Sequence, residues 1–120
     1  MIKRIATQAV YVTDQKQAEQ FWTEKVGFEV VAKRDMRNGF YWLEVKPKGA
    51  ESCLVLYPKF LMKDAAERRS SIVFECDDVD QTYEELKGQG VEVGNPPEQM
   101  MWGKFSSFKD PDGNEFAIKS

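Results

Sequence analysis

The chain contains an internal repeat, and this repeat limits the folds that it can adopt. When the 120-residue sequence is compared with itself at an offset of 64 positions, eight of the 56 aligned pairs are identical. Chance at ~6% per position would give about three. The identical pairs include Asp14 with Asp78 and Gly49 with Gly113. Because they recur in one register, the sequence predicts two copies of the same structural unit.

The first copy has the pattern of a strand, a helix and three more strands. Residues 8–12 alternate as a strand does, and Asp14 is a helix N-cap with Gln17 three positions later. Gly27 ends the helix. A turn at Lys48-Gly49 joins the last two strands. The three later strands are predicted at 28–32, 40–45 and 52–57.

The second copy repeats this order. After a strand at 71–76, Asp78 is an N-cap with Gln81 three positions on, and Gly88 and Gly90 end the helix. The apolar stripe of this helix consists of Val79, Tyr83 and Leu86. A short strand at 91–93, a loop with Pro96 and Pro97, and a hairpin of 105–109 and 115–119 around residues 110–114 complete the copy. We therefore interpret the chain as one domain, 1–120, with module one at 1–57, a linker at 58–70 and module two at 71–120.

Composition excludes several functional classes. A formal charge of −3 argues against nucleic-acid binding, which normally needs a basic face. The longest apolar run, 53–57, is far below the ~20 residues that a membrane span needs, and no signal peptide is expected. Two cysteines make no disulfide framework, so a cytoplasmic protein is expected. The chain has no histidine, which removes the commonest metal ligand and general base.

Three stretches resemble the glyoxalase/bleomycin resistance/dioxygenase superfamily, also called the vicinal oxygen chelate superfamily. They are 11–14 followed by 21–28, then 74–80, then Trp102-Gly103 running into Phe108 and the turn Asp110-Pro111-Asp112-Gly113-Asn114. The resemblance implies an α+β fold of two tandem βαβββ modules that form an incomplete curved barrel around a cleft. It also implies a homodimer.

In metal-using members of that superfamily, the ligands lie on the first and last strands of each module. The resemblance assigns these positions to Thr7, Cys53, Ser71 and Ala117, none of which is a histidine or glutamate. A divalent site needs three or four imidazole, thiolate or carboxylate ligands. We therefore expect no metal and no cofactor, and neither glyoxalase I, extradiol dioxygenase nor fosfomycin-transferase chemistry.

Strand alternation then predicts which side chains face the cleft. A turn centred on Lys48-Gly49 pairs Glu44 with Cys53, and in the last hairpin Phe108 is expected opposite Ala117. The predicted ligand-binding residues are aromatic or polar: Tyr11, Phe40, Trp42, Glu44, Cys53, Tyr57, Ser71, Glu75, Trp102 and Phe108.

An aromatic cleft with carboxylates suits a cationic or aromatic small molecule, so metal-independent binding or sequestration is the predicted function. An enzyme of the same superfamily is the alternative. It would be a metal-free lyase or isomerase using Glu44 or Glu75 as acid or base, or would rebuild a metal site from Cys53 and these two carboxylates. A third possibility is that the aromatic residues fill the barrel or a dimer interface, with the carboxylates paired to Lys104 or Lys119.

Overall fold

The computed structural model describes residues 1–3, 5–62, 71–101 and 103–120. These residues fall into two compact units, Met1–Arg69 and Ser70–Ser120. The first unit contains β1 (Thr7–Val12), α1 (Gln15–Gln20), a π-helical turn (Phe21–Lys25), β2 (Glu29–Asp35), β3 (Tyr41–Lys46), β4 (Cys53–Pro58) and a 3-10 turn (Lys59–Leu61). The second contains β5 (Val73–Glu75), α2 (Val79–Gly88), β6 (Glu92–Val93), β7 (Glu98–Met100), β8 (Gly103–Lys109) and β9 (Glu115–Lys119).

Both units build their sheet in the same way. The strand order is β1-β4-β3-β2 in the first sheet and β5-β9-β8-β6 in the second, where β7 also pairs with β8. In each sheet the first strand lies parallel to the last, and the other neighbours are antiparallel. The predicted α+β class and the repeated order of elements are confirmed.

The helix of the first unit begins where the sequence predicts. The Asp14 carboxylate accepts hydrogen bonds from the backbone N–H groups of Lys16 and Gln17 at 2.9 and 3.1 Å, as an N-cap does. Gly27 ends this helix as predicted, with φ at +87°, but the last turn is π-helical: the Val26 N–H donates to the Phe21 carbonyl.

The π-helical turn packs two adjacent aromatic side chains into the core. Phe21 is 6% exposed and Trp22 is fully buried. In a regular α-helix, neighbouring residues point about 100° apart, so the wider turn explains how both reach the core. Six further buried residues alternate along the strands: Val10, Val12, Leu43, Val45, Leu54 and Leu56. Val55 is buried as well, on the other face of β4.

The core of the second unit corrects one predicted site residue. Phe108 was expected opposite Ala117, but it lies opposite Phe116, and Ser107 occupies the place beside Ala117. The Phe108 ring packs against Phe116 at 5.4 Å and is 1% exposed. The turn of residues 110–114 explains the error: its five residues place Lys109 opposite Glu115, which shifts the register by one. A shift of one residue moves a side chain to the other face.

Other boundaries differ by a few residues. β2 extends to Asp35, and β7 forms where a loop was predicted after Pro97. The α2 prediction is confirmed, since Asp78 caps the helix and Val79, Tyr83 and Leu86 are buried. Residues 63–70, most of the predicted linker, lie outside the described residues. In the described part of the chain, no helix is long and apolar enough to span a membrane.

Candidate ligand-binding site

The face of the first sheet turned away from the buried core residues carries a group of aromatic side chains. Along β1 and β4, Tyr11 lies opposite Tyr57, and both alternate with buried residues. On β3, Trp42 and Glu44 alternate with the buried Leu43 and Val45. We call this surface the aromatic face, and its residues are Tyr11, Phe40, Trp42, Glu44 and Tyr57.

Contacts join the members of the aromatic face. The Tyr57 ring lies 6.2 Å from the Tyr11 ring at an interplanar angle of 87°, and 6.2 Å from the Phe40 ring at 61°. Such edge-to-face geometry is favoured by aromatic quadrupoles. Trp42 donates its indole N–H to Glu44 Oε1 at 3.1 Å. All five side chains are half-buried, so they are both ordered by neighbours and partly accessible.

Cys53 lies on the same side of the sheet, but its predicted partner was wrong. Glu44 pairs with Val55, not with Cys53, and Cys53 lies opposite Thr7. The turn itself is placed correctly, because the Ala50 N–H donates to the Pro47 carbonyl. Two more residues follow that turn before β4 begins, so the register shifts by two. A two-residue shift leaves every side chain on its predicted face.

Sequence reasoning missed a cation on this face. Arg34 lies opposite Trp42 on β2, and it is exposed. The sequence predicts this strand over residues 28–32 only, whereas β2 runs to Asp35. The dipeptide Asn38-Gly39, a strong signal for a hairpin turn, could have extended the strand to residue 35.

The remaining predicted residues belong to the second unit. Glu75 is exposed and lies opposite Lys119, while Lys104 pairs instead with Asp80. Ser71 is exposed and precedes β5. Trp102 lies outside the described residues.

The family's metal positions can be tested against the chemistry of their side chains. Thr7 lies opposite Cys53, whereas Ala117 lies opposite Val73 and not opposite Ser71 as the repeat predicts. The side chains offered are two hydroxyls, one thiol and one methyl group. This set does not fit a divalent metal site. Within the described residues, no three Cys, Asp or Glu side chains form a group that could hold a metal ion.

A cavity of about 800 Å³ lies on the helix side of the first sheet. Residues of α1, β2, β3 and the 3-10 turn line it, among them Gln15, Tyr41 and Phe60. Lys33 at its wall binds Glu19 at 2.9 Å, and the hydrogen bond and charge of Glu19 raise the pKa of this lysine. None of the predicted ligand-binding residues lines it.

Comparison with known proteins places the chain in a family. The model of the Glyoxalase/Bleomycin resistance protein/Dioxygenase superfamily matches residues 2–118. Over 119 residues the chain is 56% identical to the uncharacterized protein YetH of Bacillus subtilis (strain 168), with 99% of each chain covered.

Solved structures agree. TnmS3 from Streptomyces sp. CB03234, described as an antibiotic binding protein, is 35% identical with a TM-score of 0.86, and the match covers 98% of this chain and 95% of TnmS3. A superfamily member from Sphaerobacter thermophilus DSM 20745 is 29% identical with a TM-score of 0.88, covering 98% and 97%. The chain belongs to the glyoxalase/bleomycin resistance protein/dioxygenase superfamily.

Proposed function

We propose that this protein binds and sequesters an aromatic or cationic small molecule on the aromatic face, without a metal ion. The observation that carries the proposal is the pairing of ring surface with a carboxylate: Trp42 and Glu44 are hydrogen-bonded on the same face of β3. Tyr11, Phe40 and Tyr57 extend the ring surface beside them.

This arrangement favours a flat cation for two physical reasons. Each cation over an aromatic ring contributes about 0.5–2 kcal/mol, more where water is excluded. A carboxylate has room for several hydrogen bonds, so Glu44 can accept one from Trp42 and another from a ligand. Arg34 opposes a cation from the edge of the sheet, but it is exposed, and its charge is therefore screened.

The relatives support binding as the class of function. TnmS3, which is 35% identical over nearly the whole chain, is described as an antibiotic binding protein. This likeness supports small-molecule binding as the proposed role of this chain.

Titration with ethidium, a flat aromatic cation, tests the proposal. We expect saturable quenching of tryptophan fluorescence and a calorimetric isotherm that fits one site for each copy of the chain. Trp42→Phe should remove most of the quenching. Phe60→Leu, which changes a 68% exposed ring on the helix-side cavity, is the matched control and should leave the titration unchanged. Quenching that never saturates, or that survives in Trp42→Phe, contradicts the proposal.

Independence from metal is supported by the side chains at Thr7, Cys53, Ser71 and Ala117, which do not fit a divalent ion. Elemental analysis of untagged protein, purified without chelator and soaked in zinc, nickel, manganese or iron(II), checks this part. We expect less than roughly a tenth of an equivalent of any metal. Close to one equivalent would contradict metal independence and favour an enzyme.

A cytoplasmic homodimer is part of the same proposal. Exposed apolar side chains at Ile2, Ile5, Val30 and Val31 support self-association, and the free thiols of Cys53 and Cys76 suit a reducing compartment. Sedimentation equilibrium at micromolar concentration should give twice the chain mass of 13.8 kDa. A mass of one chain would overturn the dimer but not ligand binding.

A further inference from the structure

The first sheet divides into two ribbons at one end. β4 pairs with β1 as far as Pro58, and β3 pairs with β2 as far as Tyr41. Between β3 and β4, the ladder in the described residues consists of Glu44 opposite Val55 and Val45 opposite Leu54. Beyond Glu44, no ladder pair joins the β1–β4 ribbon to the β2–β3 ribbon in the described residues. We call this break in the ladder the separation of the ribbons.

One side chain bridges this separation. Gln15, the first residue of α1, donates from Nε2 to the carbonyl of Tyr41 at 2.7 Å and to the carbonyl of Leu56 at 2.8 Å. Its Oε1 accepts from the Tyr41 N–H at 2.9 Å. A single amide thus satisfies backbone groups of both ribbons where their own ladder stops. Both N–H groups of the amide can be used in this way, which leaves it one orientation.

The two halves of the aromatic face lie on different ribbons. Tyr11 and Tyr57 belong to the β1–β4 ribbon, whereas Trp42 lies on the β2–β3 ribbon and Phe40 directly precedes it. The contact of Phe40 with Tyr57 at 6.2 Å crosses the separation. The distance between the halves therefore depends on what joins the ribbons at this end.

We propose that Gln15 is a positioning residue, which sets the spacing of the two halves of the aromatic face from the opposite side of the sheet. This inference rests on the proposed function, because the spacing matters only if the face binds a ligand. A fixed spacing keeps the edge-to-face rings of the two halves at a constant distance. A flat ligand that lies across both halves depends on this distance more than a bulky ligand that contacts one half. Loss of the bridge lets the halves move apart and weakens this selectivity.

The test compares two cations of different shape. Ethidium is flat, whereas tetraphenylphosphonium is bulky and carries the same charge. Gln15→Met preserves the length of the side chain and removes all three hydrogen bonds. Gln15→Glu keeps an oxygen that can accept from the Tyr41 N–H but loses both donors. Gln17→Met, an exposed glutamine on the same helix, is the matched control.

We expect the dissociation constant for ethidium to rise about tenfold in Gln15→Met, while that for tetraphenylphosphonium changes less than about threefold. Gln17→Met should change neither constant. If Gln15 had a purely structural role, its loss would weaken the binding of both ligands equally. That result overturns the inference. If thermal melting shows that Gln15→Met is unfolded, the ratio of the ethidium and tetraphenylphosphonium dissociation constants is measured in Gln15→Glu instead.

The two proposals fail in different ways. A wild-type protein that binds neither cation overturns the proposed function, and the role of Gln15 with it. If the wild-type protein binds ethidium and the Gln15 variants keep its preference for ethidium over tetraphenylphosphonium, only the role of Gln15 is overturned.

Discussion

Trp42 and Glu44 are two residues apart on β3, and the indole N–H of the first is bonded to the carboxylate of the second at 3.1 Å. The bond holds a negative charge beside the edge of an aromatic ring. A ligand that covers the ring therefore meets the carboxylate in a defined position, which lowers the cost of ordering the site when the ligand binds.

Glu44→Gln should weaken ethidium binding about tenfold, because a charge-assisted hydrogen bond contributes roughly 1.5–3 kcal/mol. The amide oxygen can still accept from Trp42, so the ring keeps its orientation. Calorimetric titration measures the change. Glu51→Gln removes the same charge from an exposed loop residue. Equal weakening in both variants would show that Glu44 acts only through net charge.

Arg34→Ala should strengthen ethidium binding about twofold at low salt, since an exposed like charge repels the cation only weakly. The gain should disappear at 0.5 M salt. Arg37→Ala, which removes an exposed arginine from the following loop, is the control. Weaker binding in Arg34→Ala would contradict charge repulsion and would mean that the arginine side chain packs against the dye.

Ethidium should protect Cys53 from alkylation, because this thiol lies on the same side of the sheet as the aromatic face. We expect iodoacetamide to react about fivefold more slowly at Cys53 in the complex. Cys76 is an internal control in the second unit: burial raises the pKa of its thiol, so it should react slowly with or without the dye. Peptide mass mapping separates the two sites, and unchanged labelling of Cys53 would place the ligand elsewhere.

Asp110→Asn should lower the free energy of unfolding by about 1–3 kcal/mol at pH 7. Asp110 accepts hydrogen bonds from the backbone N–H groups of Asp112 and Asn114 and from the Asn114 side-chain amide. In the variant, an NH2 group replaces Oδ2, so two hydrogen-bond donors face each other where the Asn114 side chain now donates. Urea unfolding measures the loss. Asp77→Asn makes the same charge change at an exposed position and should have little effect.

The loss of unfolding free energy in Asp110→Asn should also depend on pH. Burial raises the pKa of Asp110 above its ordinary 3.8, so the folded state holds this proton more tightly than the unfolded chain. The resulting contribution to stability is complete below pH 3.8 and is lost as the pH rises through the higher folded pKa. The difference between wild type and Asp110→Asn should therefore grow as the pH falls from 7 to 4. A constant difference would contradict the raised pKa.

Phe108→Ala should lower the free energy of unfolding by about 3–5 kcal/mol, the usual cost of removing a buried phenylalanine. Phe105→Ala, on the other face of β8 and only half-buried, should cost less than half as much. Urea unfolding compares the two. Equal losses would mean that Phe108 does not belong to the core of the second unit.

The sequence predicted the fold well because its main signals are local. An N-cap needs only its own first turn, and Asp14 and Asp78 both act as predicted. The candidate site is harder, because it depends on strand register. In the first hairpin the register error was two residues, and Trp42 and Glu44 stayed on the predicted face. In the second it was one residue, which moved Phe108 into the core.

The bridge formed by Gln15 could not be predicted from any local pattern. Its amide contacts the backbone of Tyr41 and Leu56, 26 and 41 residues away. Those contacts use backbone groups at a point where the β3–β4 ladder is not continued. The separation depends on how three elements pack, and alternation along one strand carries no information about it.

The sheet order also has a consequence for the timing of folding during synthesis. β1 pairs with β4 and β5 pairs with β9, so the first strand of each unit has its neighbour at that unit's far end. On the ribosome, neither sheet can be completed until its last strand has emerged. Until then β1 and β5 have no partner strand in their sheets. Unpaired strands of this kind make a partly synthesised chain prone to aggregation.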